Sequence, residues 1–205
     1  MTEEKAVFSP PDGTHLVLAS SSPRRRELFK QIGINEFSIQ AADIDERALA
    51  GELPPAYALR IAKKKAEKVS KKNENSYVLA ADTVVACGRR IMPKVETEAE
   101  ANSCLNLLSG RRHTVLGAVV IYSPNGTQIY RVVKSVVTIK KLAQEEINFY
   151  LKAREWEGKA GGYAIQGLAA AYIRALNGSY SNVVGLPLHE TYQMLKGMGF
   201  RYKVP

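Results

Sequence analysis

The sequence predicts an α/β fold built on a mixed sheet, and three observations carry that expectation. Apolar runs with strand character alternate with segments whose apolar residues recur every three or four positions. Two β-rich runs in the second half, residues 115–122 and 129–139, are joined by Ser123-Pro124-Asn125-Gly126, a hairpin turn. A hairpin within an alternating pattern makes the sheet mixed rather than wholly parallel. Finally, 205 residues at 45% hydrophobic and 24% charged suit one globular domain with enough apolar surface to bury a core.

Each element has a local reason. The first 15 residues are polar, with Glu3 and Glu4 and no apolar stretch, so they read as a flexible extension and not as a signal peptide. Leu16-Val17-Leu18-Ala19 is a short strand. Ser22 before Pro23 is an N-cap with proline in the first helical position. Leu28, Phe29 and Ile32 then form a stripe that Gly33 ends. Residues 36–42 have strand character. Pro54 and Pro55 open a helix to about Lys72, with Ala58, Ala62, Ala66 and Val69 on one face.

Residues 77–87 read as a buried strand that turns at Gly88 toward Ile91. Thr97 and Glu100 form a capping box, followed at helical spacing by Ala101, Cys104, Leu105 and Leu108, and Ser109-Gly110 stops that helix. Ala143, Ile147, Tyr150 and Leu151 mark another helix. A glycine-rich loop at 158–167 precedes an apolar strand at 169–176, and Pro187 starts a last helix through Leu188, Tyr192 and Leu195. Residues 16–205 therefore read as a single domain, with no repeat and no long linker.

The net charge of +9 favours an anionic partner, and a nucleotide, an RNA or a phosphosugar would all satisfy it. No apolar run approaches the roughly 18 residues of a membrane span, so no membrane association is expected. Aromatic residues are few and not interleaved with basic ones, which argues against a stable nucleic-acid complex. Cys87 and Cys104 cannot form a disulfide framework, and no Cys/His spacing resembles a zinc site. A reduced, cytoplasmic protein is the expectation; a homodimer is compatible with the sequence.

Three segments break local rules in ways that point to chemistry. Arg24-Arg25-Arg26 fills the first turn of a helix, where the macrodipole disfavours cations by about 0.3–1 kcal/mol, and the free N–H groups of that turn invite an anion. The alternative is a solvated basic turn. Asp82-Thr83 interrupts the apolar strand Val78-Leu79-Ala80-Ala81-Asp82-Thr83-Val84-Val85. A carboxylate there needs a metal, a cation or a proton to transfer, unless it caps backbone amides. Asp45 and Glu46 add nearby acids, and carboxylates converging on phosphate suggest Mg²⁺ or Mn²⁺.

The third segment, residues 157–167, has glycines that allow close backbone approach, Lys159 to meet phosphate and Gln166 to read a base edge; a plain surface loop is its alternative. Among the remaining lysines, Lys64, Lys68 and Lys71 read as solvated. Lys65 lies to one side of the apolar stripe, where it faces either solvent or a cleft, and Lys94 sits in a loop. His15, His113 and His189 are scattered, and Cys87 reads as core.

Five motifs in order, LASSSPRRREL, AADTVVA, LSGRRHTV, GKAGGYAIQG and GSYSNVVGLPL, resemble the Maf family of nucleoside triphosphate pyrophosphatases from about Leu16 to Phe200. The last two are similar to the branch acting on dTTP and UTP. A 7-methyl-GTP pyrophosphatase and a nucleotide-binding regulator linked to cell division are the alternatives.

The resemblance implies an elongated, bent mixed sheet with flanking helices and two lobes around a central cleft. It implies hydrolysis between the α- and β-phosphates with a divalent cation. By the same resemblance, Asp82 is the proton acceptor, acting directly or through water on the cation. Arg24, Thr83 and Gln166 fall on substrate-selecting positions. Ser20, Arg24, Arg25, Lys65 and Lys94 are expected to bind phosphate, and Glu46 and Asp82 to bind metal. Pro93-Lys94-Val95 departs from the family's Gly-Lys-Pro, which leaves the reach of Lys94 open.

Overall fold

A computed structural model describes residues 7–203. Its elements run β1 (Val7–Ser9), β2 (His15–Leu18), α1 (Pro23–Gln31), β3 (Ser38–Ile39), α2 (Pro54–Ser70), β4 (Ser76–Cys87), β5 (Arg90–Ile91) and β6 (Lys94–Val95). They continue with α3 (Glu98–Leu108), β7 (Arg112–Tyr122), β8 (Gln128–Ile139), α4 (Gln144–Ala153) and β9 (Lys159–Ala160). A 3-10 turn (Leu168–Tyr172), β10 (Ile173–Asn177), α5 (Tyr180–Val184), α6 (Leu188–Gly197) and β11 (Arg201–Lys203) complete the chain.

The main sheet is mixed, as the hairpin pattern predicts. Its order is β10-β8-β7-β4-β2-β3, with β5 beside β4; β2 runs parallel to β3 and β4, and the other pairs are antiparallel. The long strands β4, β7 and β8 form its spine. The capping box at Thr97 and Glu100 is present, with Glu100 N–H donating to Thr97 Oγ1 at 3.3 Å.

Three buried clusters divide the interior, and the pleat of β4 shows how they meet. Tyr77, Leu79 and Ala81 join a core with α1 and α6, whereas Val78, Ala80 and Val84 face α2. Val85 already belongs to a third core, built on α3, α4 and the loop around Tyr163. Asp82 and Thr83 therefore lie where the three cores converge. β2 also stops pairing with β4 after Leu79, and β5 takes up β4 only at Ala86. A crevice opens between them, beyond the carboxyl end of β2, where open α/β sheets commonly bind ligands.

Four expectations are corrected. The strand expected over 36–42 is only two residues long, both of them exposed and paired with β2 at the edge of the sheet. The strand expected over 169–176 begins as a 3-10 turn, since Ala169-Ala170-Ala171 brings no β-branched side chains. Residues 177–182, whose polar composition reads as a loop, instead lead into the short helix α5, which Ser179 caps by accepting from Asn182 N–H. Residues 7–9, expected to be flexible, pair with β11, and Phe8 is buried at 1% exposure. Residues 1–6 of the expected extension lie outside the described residues.

Candidate active site

One cleft of about 450 Å³ is lined by the nine residues expected to act on substrate or metal, Ser20, Arg24, Arg25, Glu46, Lys65, Asp82, Thr83, Lys94 and Gln166, and by Lys159. The nearby acid Asp45 does not line it and pairs with Arg47 instead. The strand pleat sends Asp82 and Thr83 to opposite sides, and each finds a partner there. On the α2 side, Lys65 Nζ meets Asp82 Oδ1 at 2.8 Å and Glu46 Oε1 at 2.8 Å. Lys65 and Asp82 are buried, so the pair satisfies charges that neither could carry alone in that position.

On the other side, Arg25 is held by three contacts. Its Nε donates to Gly185 O at 2.9 Å, Nη1 to Ser20 Oγ at 3.0 Å and Nη2 to Thr83 Oγ1 at 3.2 Å. Thr83 Oγ1 in turn donates to Gly185 O at 3.3 Å. Burial pushes the Arg25 guanidinium below its usual value, and the carboxylate of Asp82 works in the opposite direction. Arg25 thus ties α1, β4 and the turn after α5 together. Ser20 Oγ also accepts from Ser22 N–H at 3.2 Å, while Ser22 makes no side-chain cap of its own.

A second group of cations lines the cleft. Arg24 is half-buried, and burial lowers its pKa. Lys94 and Lys159 come from paired strands, with Lys94 opposite Ala160 and Val95 opposite Lys159. Burial, followed by the charge of Arg24, lowers the pKa of Lys159; Lys94 contributes in the same direction. Like charges gathered without an anion raise the free energy of the cleft, and a polyphosphate removes that cost. Pro93 keeps this arrangement, since its carbonyl accepts from Gly161 N–H at 3.0 Å and β6 holds Lys94 in register.

Two contributors are not among the residues that the sequence assigns a role. Tyr57 lines the cleft and donates from its hydroxyl to Glu46 O at 2.7 Å, anchoring the loop that carries Glu46. Burial, then the charges of Asp82 and Glu46, push its pKa up to about 12. Gly185 contributes a carbonyl rather than a side chain. The periodicity of α2 marks Tyr57 only as off the stripe, and Gly185 meets Arg25 from 160 residues away.

Among the described residues no group of three or more His, Cys, Asp or Glu is set to hold a metal. The donor set nevertheless fits a hard divalent cation. Glu46 and Asp82 share one ammonium, so the two bound oxygens are no farther apart than twice 2.8 Å. Asp82 Oδ2 and Glu46 Oε2 accept no hydrogen bond among the described residues. Mg²⁺ typically takes one or two carboxylates and completes its shell with substrate phosphates and water.

Fold and site together define an α/β protein whose cleft sets an acidic pair beside a cationic wall. The chain belongs to the Maf family: the family model described as Maf-like protein matches residues 15–198. A protein from Paramagnetospirillum magneticum named dTTP/UTP pyrophosphatase is 55% identical over 185 residues, covering 90% of this chain and 97% of its own length. One of the same name from Caulobacter vibrioides is 50% identical over 189 residues, covering 92% and 98%. A solved HAM1 protein from Coxiella burnetii shares the fold, with a TM-score of 0.50 at 14% identity over 90% of this chain and 99% of that one. Among the described residues no helix is long and apolar enough to cross a membrane.

Proposed function

We propose that this protein is a nucleoside triphosphate pyrophosphatase acting on dTTP and UTP in the cytoplasm, with residues 16–205 as its catalytic domain. The observation that carries the reading is the cleft itself, in which Asp82, Lys65 and Glu46 stand beside Arg24, Lys94 and Lys159. Relatives named dTTP/UTP pyrophosphatase at 50–55% identity support the substrate assignment.

In this reading water attacks the α-phosphorus, the bond from it to the bridging oxygen breaks, and the products are the nucleoside monophosphate and pyrophosphate. Asp82 takes the proton from the attacking water, its carboxylate engaged by Lys65 through Oδ1 only. Lys65 fixes the carboxylate in that orientation. Arg24, Lys94 and Lys159 bind the β- and γ-phosphates through charge-assisted hydrogen bonds of about 1.5–3 kcal/mol each. Arg25 and Ser20 position Thr83, and Gln166 selects the base. Glu46 and Asp82 would hold a divalent cation, Mg²⁺ or Mn²⁺, which when bound would supply positive charge to offset the negative charge developing on the leaving pyrophosphate.

The Asp82→Asn variant tests this directly. It should lose at least about 10²-fold in kcat for dTTP while binding the nucleotide within a few-fold of the unaltered protein, by calorimetry. Turnover near the original rate in Asp82→Asn removes Asp82 from the role of base.

A further inference from the structure

His113 is a buried titratable side chain that the reaction above does not use, although it lies within LSGRRHTV. It stands on β7 at 2% exposure, held by the pairing of His113 with Val137 on β8. Its Nε2 lies 2.7 Å from the Tyr163 hydroxyl, with the rings edge-on at 5.3 Å, while Nδ1 has no hydrogen-bond partner among the described residues. Burial holds His113 neutral, lowering its pKa to about 4, and raises that of Tyr163, so the bond joins two neutral groups across the working pH range.

Tyr163 belongs to the loop that ends in Gln166, and that loop is fixed at successive points. Gly161, at φ +70°, lies so close to β4 that a Cβ there would meet Val85 Cγ1 at 2.8 Å. Tyr163 is bonded to His113, and Ala164 N–H donates to Tyr150 OH of α4 at 3.1 Å. Gln166, by contrast, is exposed at the cleft and makes no side-chain hydrogen bond among the described residues. A side chain without partners of its own takes its position from its backbone. Hydrogen-bond readout tolerates only a few tenths of an ångström.

We propose that His113 and Tyr163 are positioning residues for substrate selection: their hydrogen bond fixes the backbone from which Gln166 reads the base. The inference rests on the pyrophosphatase reading and adds to it a residue pair behind the cleft wall. It gives the buried histidine a role that neither acid–base chemistry nor metal binding supplies.

The test uses the full chain with dTTP and dCTP, which differ at the base edge. The unaltered protein, Tyr163→Phe, His113→Leu and His113→Gln are compared by kcat and KM. Tyr163→Phe and His113→Leu should each lower the dTTP/dCTP ratio of kcat/KM by between about twofold and tenfold, mainly through KM for dTTP. His113→Gln, whose amide reaches close to the place of Nε2, should retain the ratio. Amide hydrogen exchange on Tyr163→Phe provides a second readout. It should rise within residues 161–166 and stay unchanged elsewhere.

An unchanged ratio in both Tyr163→Phe and His113→Leu overturns the inference while leaving the pyrophosphatase reading intact. Exchange that rises uniformly along the chain also overturns it, since that is what a merely structural bond gives. An unaltered protein without preference between dTTP and dCTP overturns the functional reading and the inference with it. Tyr163→Phe keeps the ring and its packing, so it carries the test if His113→Leu does not fold.

Discussion

At the scale of single residues, His113 also links the fold to pH. Its pKa falls from 6.5 to about 4 on burial. Between those values the unfolded chain binds a proton that the folded one does not, so stability is full above about pH 6.5 and declines as the pH falls toward 4. The loss amounts to about 3 kcal/mol once both states are protonated. His113→Gln has no such proton, so its urea-unfolding stability should fall less steeply from pH 7 to pH 4. Parallel slopes in the two proteins would show that the acid limb comes from other groups. The residues legible in the sequence are those that break a local rule. Asp82 interrupts an apolar strand and finds its counter-charge in Lys65, while the arginines oppose a helix dipole and two of them, Arg24 and Arg25, line the cleft. Tyr57 breaks no rule, so only its contact with Glu46 O reveals it.

At the scale of elements, the pair β1–β11 lies outside the residues that the family model matches. Phe8 at its centre touches the rings of Tyr192, Phe200 and Tyr202, at centroid distances of 5.0, 5.7 and 5.1 Å. Phe8→Ala should therefore cost about 3–5 kcal/mol in urea unfolding, with kcat for dTTP retained in the folded fraction, because neither strand of the pair lines the cleft. A change below about 0.5 kcal/mol would mean that the strand pair contributes nothing to stability. Long elements with a clear period, α2, β4, β7 and β8, are legible because many residues repeat one signal. The short strands β1, β6, β9 and β11 are not, because pairing partners far along the chain decide them, as Val7 opposite Lys203 shows, while β3 is legible in place but not in length.

At the scale of the whole molecule, the site arises from an interruption in the sheet. β2 leaves β4 at Leu79, three cores meet at Asp82 and Thr83, and the crevice so formed collects side chains from α1, α2, β4, β6 and the loop before Gln166. The mixed sheet is legible from the alternation and the hairpin. Its strand order is not, because periodicity carries no information about which strands become neighbours. The charge of +9 has a structural counterpart in Arg24, Lys94 and Lys159, a concentration suited to drawing a polyphosphate into the cleft.

Every role proposed for these side chains depends on water attacking the α-phosphorus of a pyrimidine nucleoside triphosphate in this cleft. Incubating the protein with dTTP and Mg²⁺ in ¹⁸O-labelled water, then weighing the products, reads that step without a variant. The expected products are dTMP carrying one ¹⁸O and unlabelled pyrophosphate. Label in pyrophosphate would mean attack at the β-phosphorus, and release of orthophosphate would mean that a different bond is broken.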